Sequence, residues 1–136
     1  MTVMLKIIDE APGAPRRFVR EMRLVSERVS VRELMRSRIE QEVADINAGL
    51  SASAPLVMPT AWDRRLNGKT AKPAAGAGNR DKVDAGQQLA AATEAFAKGR
   101  IIVIVGDRQV TDLDAPLTLA PDTEVTFLKL VPLVGG

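Results

Sequence analysis

The sequence predicts one α+β domain, and three observations carry that expectation. The N-terminus has a period-two hairpin pattern, an apolar stripe at helical spacing follows it directly, and short β-branched runs lie near the C-terminus. At 136 residues the chain is long enough to bury one hydrophobic core. Aromatics make up only 3% of it, so that core falls to Val, Leu, Ile, Met and Ala.

Taken in order, Val3, Leu5 and Ile7 alternate with Met4, Lys6 and Ile8, which predicts a strand with one strongly apolar face. Ala11-Pro12-Gly13-Ala14-Pro15 breaks it as a turn, and Arg17 to Val25, with Met22 and Leu24 alternating with Glu21 and Arg23, reads as the return strand. Ser30-Val31-Arg32-Glu33 is a capping box, because the Ser hydroxyl can accept from the third helical N–H while Glu33 reaches back to the cap. Val31, Leu34, Met35, Ile39, Val43 and Ile46 then share one helical face, with Arg32, Glu33, Arg36, Glu40, Gln41 and Asp45 on the other. Asp84 and Gln87 open a second helix over about 85–98, with Ala85, Leu89, Ala92 and Phe96 on one face and Gly99 as its left-handed cap. Ile101 to Val105 is too short for a helix and β-branched, as a buried central strand should be. Gly106-Asp107-Arg108-Gln109 turns the chain, Val110 starts a short partner strand, Pro116 and Pro121 punctuate the connection, and Glu124 to Val131 forms the last strand.

Between the helices, residues 49–82 are rich in Ala, Gly, Pro and Ser and hold no sustained period, so they read as an inserted, flexible, basic loop. Arg64, Arg65, Lys69, Lys72, Arg80 and Lys82 against Asp63 and Asp81 give it a net charge of +4, whereas the whole chain carries +2. A structureless connection of this length is uncommon inside a domain, and Leu56-Val57-Met58 with Trp62 is the piece most suited to dock on the body. Because loop-closure entropy varies slowly with length, replacing residues 50–82 by a short linker is expected to cost little.

The chain has no Cys, His or Tyr, which removes disulfides, thiolate and imidazole metal sites, and nucleophile systems built on Cys or His. No resident metal or cofactor is expected. Its longest apolar run, Ile101 to Val105, falls far short of the roughly 20 residues that span a bilayer, and Met1 to Lys6 has no basic stretch leading an apolar one. The expected location is the cytoplasm, with no membrane partner and no nucleic acid.

Other candidate sites read as ordinary structure. Asp112 with Asp114, and Glu40 with Glu42, are paired carboxylates that suit a turn and a solvated helix surface. Gly76-Ala77-Gly78 lacks the context of a phosphate loop. Arg20, Arg23 and the arginines of the first helix form either a docking face or a salt-bridged surface, and the surface reading is favoured.

Two stretches carry a resemblance. Ile104-Val105-Gly106-Asp107-Arg108-Gln109-Val110-Thr111-Asp112, with Leu117-Thr118-Leu119 and Thr123-Glu124-Val125-Thr126-Phe127-Leu128, resembles the matching run of ubiquitin. Val131-Pro132-Leu133-Val134-Gly135-Gly136 is similar to the tails of the sulfur carriers of thiamine and molybdopterin biosynthesis. The chain thus resembles the ubiquitin-like β-grasp family over roughly 1–47 and 100–136, and departs from it over 49–98.

That resemblance implies a four- to five-stranded mixed sheet packed on a helix, carrying the inserted loop and the extra helix, with 131–136 as an exposed tail. It implies that Gly135 and Gly136 are the reactive end, and that an activating enzyme with ATP and Mg²⁺ adenylates the Gly136 carboxylate. The chain would then be substrate and acyl carrier rather than enzyme. Gly-Gly suits this physically, since a backbone without Cβ threads a narrow active site. Leu130, Pro132, Leu133 and Val134 are the expected docking residues for that enzyme, being apolar and beside the reactive end. Three outcomes stay open. A modifier is joined to amines through a thioester, with a conjugating enzyme and an isopeptidase as further partners; a sulfur carrier bears a thiocarboxylate and meets a sulfur-transfer enzyme; an adaptor binds noncovalently through the basic insert.

Overall fold

Residues 3–24 fold as their alternation dictates: β1 (Val3–Glu10) and β2 (Arg17–Leu24) pair antiparallel. This computed structural model describes residues 2–49, 55–59 and 83–135. After β3 (Arg28–Val29) comes α1 (Val31–Asn47), and the capping box at its start is complete. The Ser30 hydroxyl accepts from the Glu33 N–H at 3.2 Å, and Glu33 Oε1 accepts from the Ser30 N–H at 3.1 Å. β4 (Met58–Pro59) precedes α2 (Ala85–Ala97), whose first turn is capped by Asp84 accepting from Gly86 and Gln87. Its far end closes as a Schellman motif: Gly99 at φ +71° donates to Phe96 O and Arg100 donates to Ala95 O. The remaining strands are β5 (Ile101–Val105), β6 (Arg108–Val110), β7 (Leu117–Thr118), β8 (Glu124–Lys129) and β9 (Val134–Gly135).

The main sheet has five strands in the order β2-β1-β8-β5-β6. β8 lies parallel to β1, and every other pair in this sheet is antiparallel. The last long strand therefore sits beside the first at the centre of the sheet. Register aligns Val3, Leu5 and Ile7 with Leu24, Met22 and Val125, and Val103 with Phe127, so these buried residues share the face on which the helices pack. Val31, Leu34, Met35, Ile39 and Val43 fill the α1 side of that core, while Ile46 is only partly buried.

Two expectations need correction. In α2 the fully buried residues are Gln88, Ala92 and Ala95, with Ala85, Leu89 and Phe96 only partly buried. The inward face is thus rotated by about one position, because a small Ala row lets the helix approach closely while Gln88 meets a backbone carbonyl. Nor is 49–82 a loop throughout. Leu56 and Val57 are 1% and 0% exposed and belong to the main core, and Met58–Pro59 is a strand. The rest of the insert's candidate features, Trp62, the basic cluster from Arg64 to Lys82 and Gly76-Ala77-Gly78, lie outside the described residues. Among the described residues no helix is long and apolar enough to cross a membrane.

Candidate functional site

Beyond β8 the chain runs through Leu130, whose N–H donates to Arg100 O at 2.9 Å, toward β9. Leu130, Val131 and Val134 are each exposed by more than two fifths and Pro132 is exposed as well, as a docking surface requires. Leu133 is not: at 8% exposed it is part of the core. Side chains alternate along an extended chain, so with Val134 facing out Leu133 must face in, toward α2 and the buried part of the insert. The tail 131–136 is accordingly not free along its length. Gly135 lies in β9, and Gly136 falls outside the described residues.

What holds β9 is β4. The two pair in parallel, Met58 opposite Val134 and Pro59 opposite Gly135, and the Met58 N–H donates to Leu133 O at 2.7 Å. The segment carrying β4 is itself fastened by side chains from both helices. Glu42 Oε1 of α1 accepts from the Leu56 N–H at 2.9 Å, and Gln88 Nε2 of α2 donates to Val57 O at 3.1 Å. On the far side of the insert, Asn47 Oδ1 accepts from the Val83 N–H at 2.9 Å and Asn47 Nδ2 donates to Val83 O at 3.2 Å. Buried backbone groups without such partners would each cost about 1–3 kcal/mol, so these contacts are what allow polar backbone into the core.

Behind Glu42 stands a buried ionic chain. Arg38 is wholly buried and donates through both terminal nitrogens to Asp9 of β1, at 2.6 and 2.8 Å, while its Nε donates to Glu42 Oε2 at 3.1 Å. Its guanidinium carbon lies 4.8 Å from the centre of the Phe127 ring. Lys129 Nζ, 3.8 Å from Asp9, supplies the second positive charge that balances the two carboxylates. Burial opposes the charge on Arg38, but Asp9 and Glu42 outweigh it and hold the guanidinium above its ordinary value. Burial likewise pulls the Lys129 ammonium below its ordinary value, with Asp9 opposing. The result is a continuous polar line from the sheet centre through α1 to the backbone of Leu56, two residues before β4.

The expectation that Glu42 is solvated surface fails here, since Glu42 is 5% exposed. A sequence signal existed. Arg38 stands four residues after Leu34 and four before Glu42, which continues the apolar row of α1 instead of leaving it. The other charged candidates are surface pairs. Arg20 meets Asp45 at 2.8 Å, and Arg32 meets Asp114 at 2.9 Å, an arrangement that holds the Asp114 carboxyl below its usual range. Asp112 accepts from the Asp114 N–H, as turn residues do. Among the described residues no group of three or more acidic side chains is placed to hold a metal ion.

The site therefore presents a short extended strand ending at Gly135, gripped along one edge by a strand from the insert. No protein-family model matches the chain, and no curated protein or solved structure is similar enough to match it.

Proposed function

We propose that this chain is a ubiquitin-like β-grasp modifier, adenylated at the Gly136 carboxylate by an activating enzyme and passed through a thioester to target amines. The single observation that carries the reading is the strand order β2-β1-β8-β5-β6, with β8 parallel to β1 and α1 crossing between hairpin and sheet. A grasp of this kind delivers the chain beyond its central strand to one end of the sheet, and here it leads through exposed Leu130, Val131 and Pro132 to a glycine-ended strand. The chemistry balances simply. A Gly136 carboxylate oxygen attacks the α-phosphorus of ATP and pyrophosphate leaves; a thiolate of the enzyme displaces AMP; an amine then displaces the thiol. The tail Val131-Pro132-Leu133-Val134-Gly135-Gly136 favours a second reading, in which sulfide takes the place of the amine and the product is a thiocarboxylate.

Hydroxylamine intercepts any activated acyl group, so the activation step can be tested before the enzyme is identified. The tagged full chain, incubated in native-host lysate with ATP, Mg²⁺ and hydroxylamine, should gain about 15 Da at Gly136 as the hydroxamate, and only when ATP is present. Absence of that adduct with ATP, or its equal formation without ATP, contradicts the proposal.

A further inference from the structure

Gly136 is useful to an activating enzyme only if the strand before it can be drawn into an active site, and β9 is engaged elsewhere. Pro59, itself buried, stands opposite Gly135, on the edge an enzyme backbone would have to approach. Leu133 is sunk in the core between exposed neighbours, which anchors the tail two residues before Gly135. The two partners in this contact are held very unequally. The β4 segment is tied by side-chain hydrogen bonds to α1 through Glu42 and to α2 through Gln88, whereas β9 is held by a two-residue ladder, the buried Leu133 and its packing against α2. A two-strand pair this short has little stability of its own. When the contact opens, β9 is the element that moves.

Gln88, 1% exposed, donates its amide nitrogen to Val57 O, and among the described residues its Oε1 has no hydrogen-bond partner.

We infer that the β4–β9 pair is an autoinhibitory latch: the C-terminal glycines become available to an activating enzyme only when β9 leaves β4 and Leu133 leaves the core. The inference rests on the reading of Gly136 as acyl donor. It adds that the insert, foreign to the resembling family, sets the fraction of molecules ready for activation. An enzyme that binds only the open state sees an affinity reduced by that fraction.

Two variants and one exchange measurement test it. Because the chain has no Cys, the paired substitutions Met58→Cys and Val134→Cys place a lone disulfide across facing residues of the ladder. Met58→Pro removes the N–H that Leu133 O accepts, with circular dichroism to show that the domain still folds. In the hydroxylamine assay, the oxidised pair should yield at least about tenfold less hydroxamate than the same protein reduced, and Met58→Pro at least about tenfold more than wild type at low protein concentration. In the unmodified full chain, the Met58 amide should exchange with solvent deuterium at least about tenfold more slowly than an unstructured amide. Equal hydroxamate from the oxidised and reduced forms overturns the latch while leaving the acyl-donor reading intact. An unprotected Met58 amide overturns it whatever the function. Hydroxamate from no form at all, with Met58 protected, overturns the acyl-donor reading and autoinhibition together.

Discussion

Arg38 carries a full charge with no surface open to water, and this is tolerable only because Asp9 and Glu42 between them use three of its nitrogens. Glu42 has a second duty, the Leu56 N–H. Glu42→Ala therefore leaves one cation half-compensated and one buried donor unmet, and should lower stability by about 3–5 kcal/mol. Urea unfolding at constant m-value reads this directly, and a loss below about 1 kcal/mol would mean that water already reaches the pair. Lys129 gives a pH signature. Burial lowers its proton affinity below the ordinary 10.5, so just below that pH the unfolded chain holds a proton the folded chain has released. Stability should rise with pH across that window, and Lys129→Met should remove the rise; equal slopes of the urea midpoint in both proteins would contradict the assignment. The periodicity of α1 contained both Arg38 and Glu42, but a charged side chain on an apolar row does not announce its partners. Asp9 lies on another element, and only the tertiary register brings it opposite.

At the scale of elements, hairpin, α1, β5 and β8 were legible because each is specified by local alternation, stripe or cap. Ser30 and Glu33 fix one helix start and Asp84 the other, and the glycine after α2 fixes its end. Asp84→Ala should cost about 1 kcal/mol through loss of its two N–H contacts, and Ile39→Ala about 2–5 kcal/mol through the cavity it leaves; both are read by thermal or urea unfolding. The β4–β9 pair was not legible. Two residues per strand carry no period, and parallel pairing between segments so distant in sequence leaves no local trace. Its consequence reverses the expectation for the insert. Replacing residues 50–82 by a linker removes Leu56 and Val57 from the core and should cost on the order of 3–6 kcal/mol, far above the loop-closure term alone. A stability within about 1 kcal/mol of wild type would show that the core closes without them.

For the molecule as a whole, the polar line from Asp9 through Arg38 and Glu42 to Leu56 joins the centre of the sheet to the strand that grips the C-terminal tail. The sheet, the described part of the insert and the tail are thus joined, which suits the proposed presentation of an activated glycine to amines. The decisive measurement is made on protein recovered from its native host. Val134 is not basic, so trypsin cannot cut just before Gly135; cleavage after Lys129 instead leaves Leu-Val-Pro-Leu-Val-Gly-Gly on any conjugated lysine. A modifier should leave that seven-residue remnant on lysines of host proteins, present with the full chain and abolished when Gly135 and Gly136 are deleted. Absence of the remnant would contradict the modifier reading: an intact-mass gain of about 16 Da, lost on mild oxidation, would then mark a thiocarboxylate carrier, and neither signature in a chain that still binds a partner would mark an adaptor.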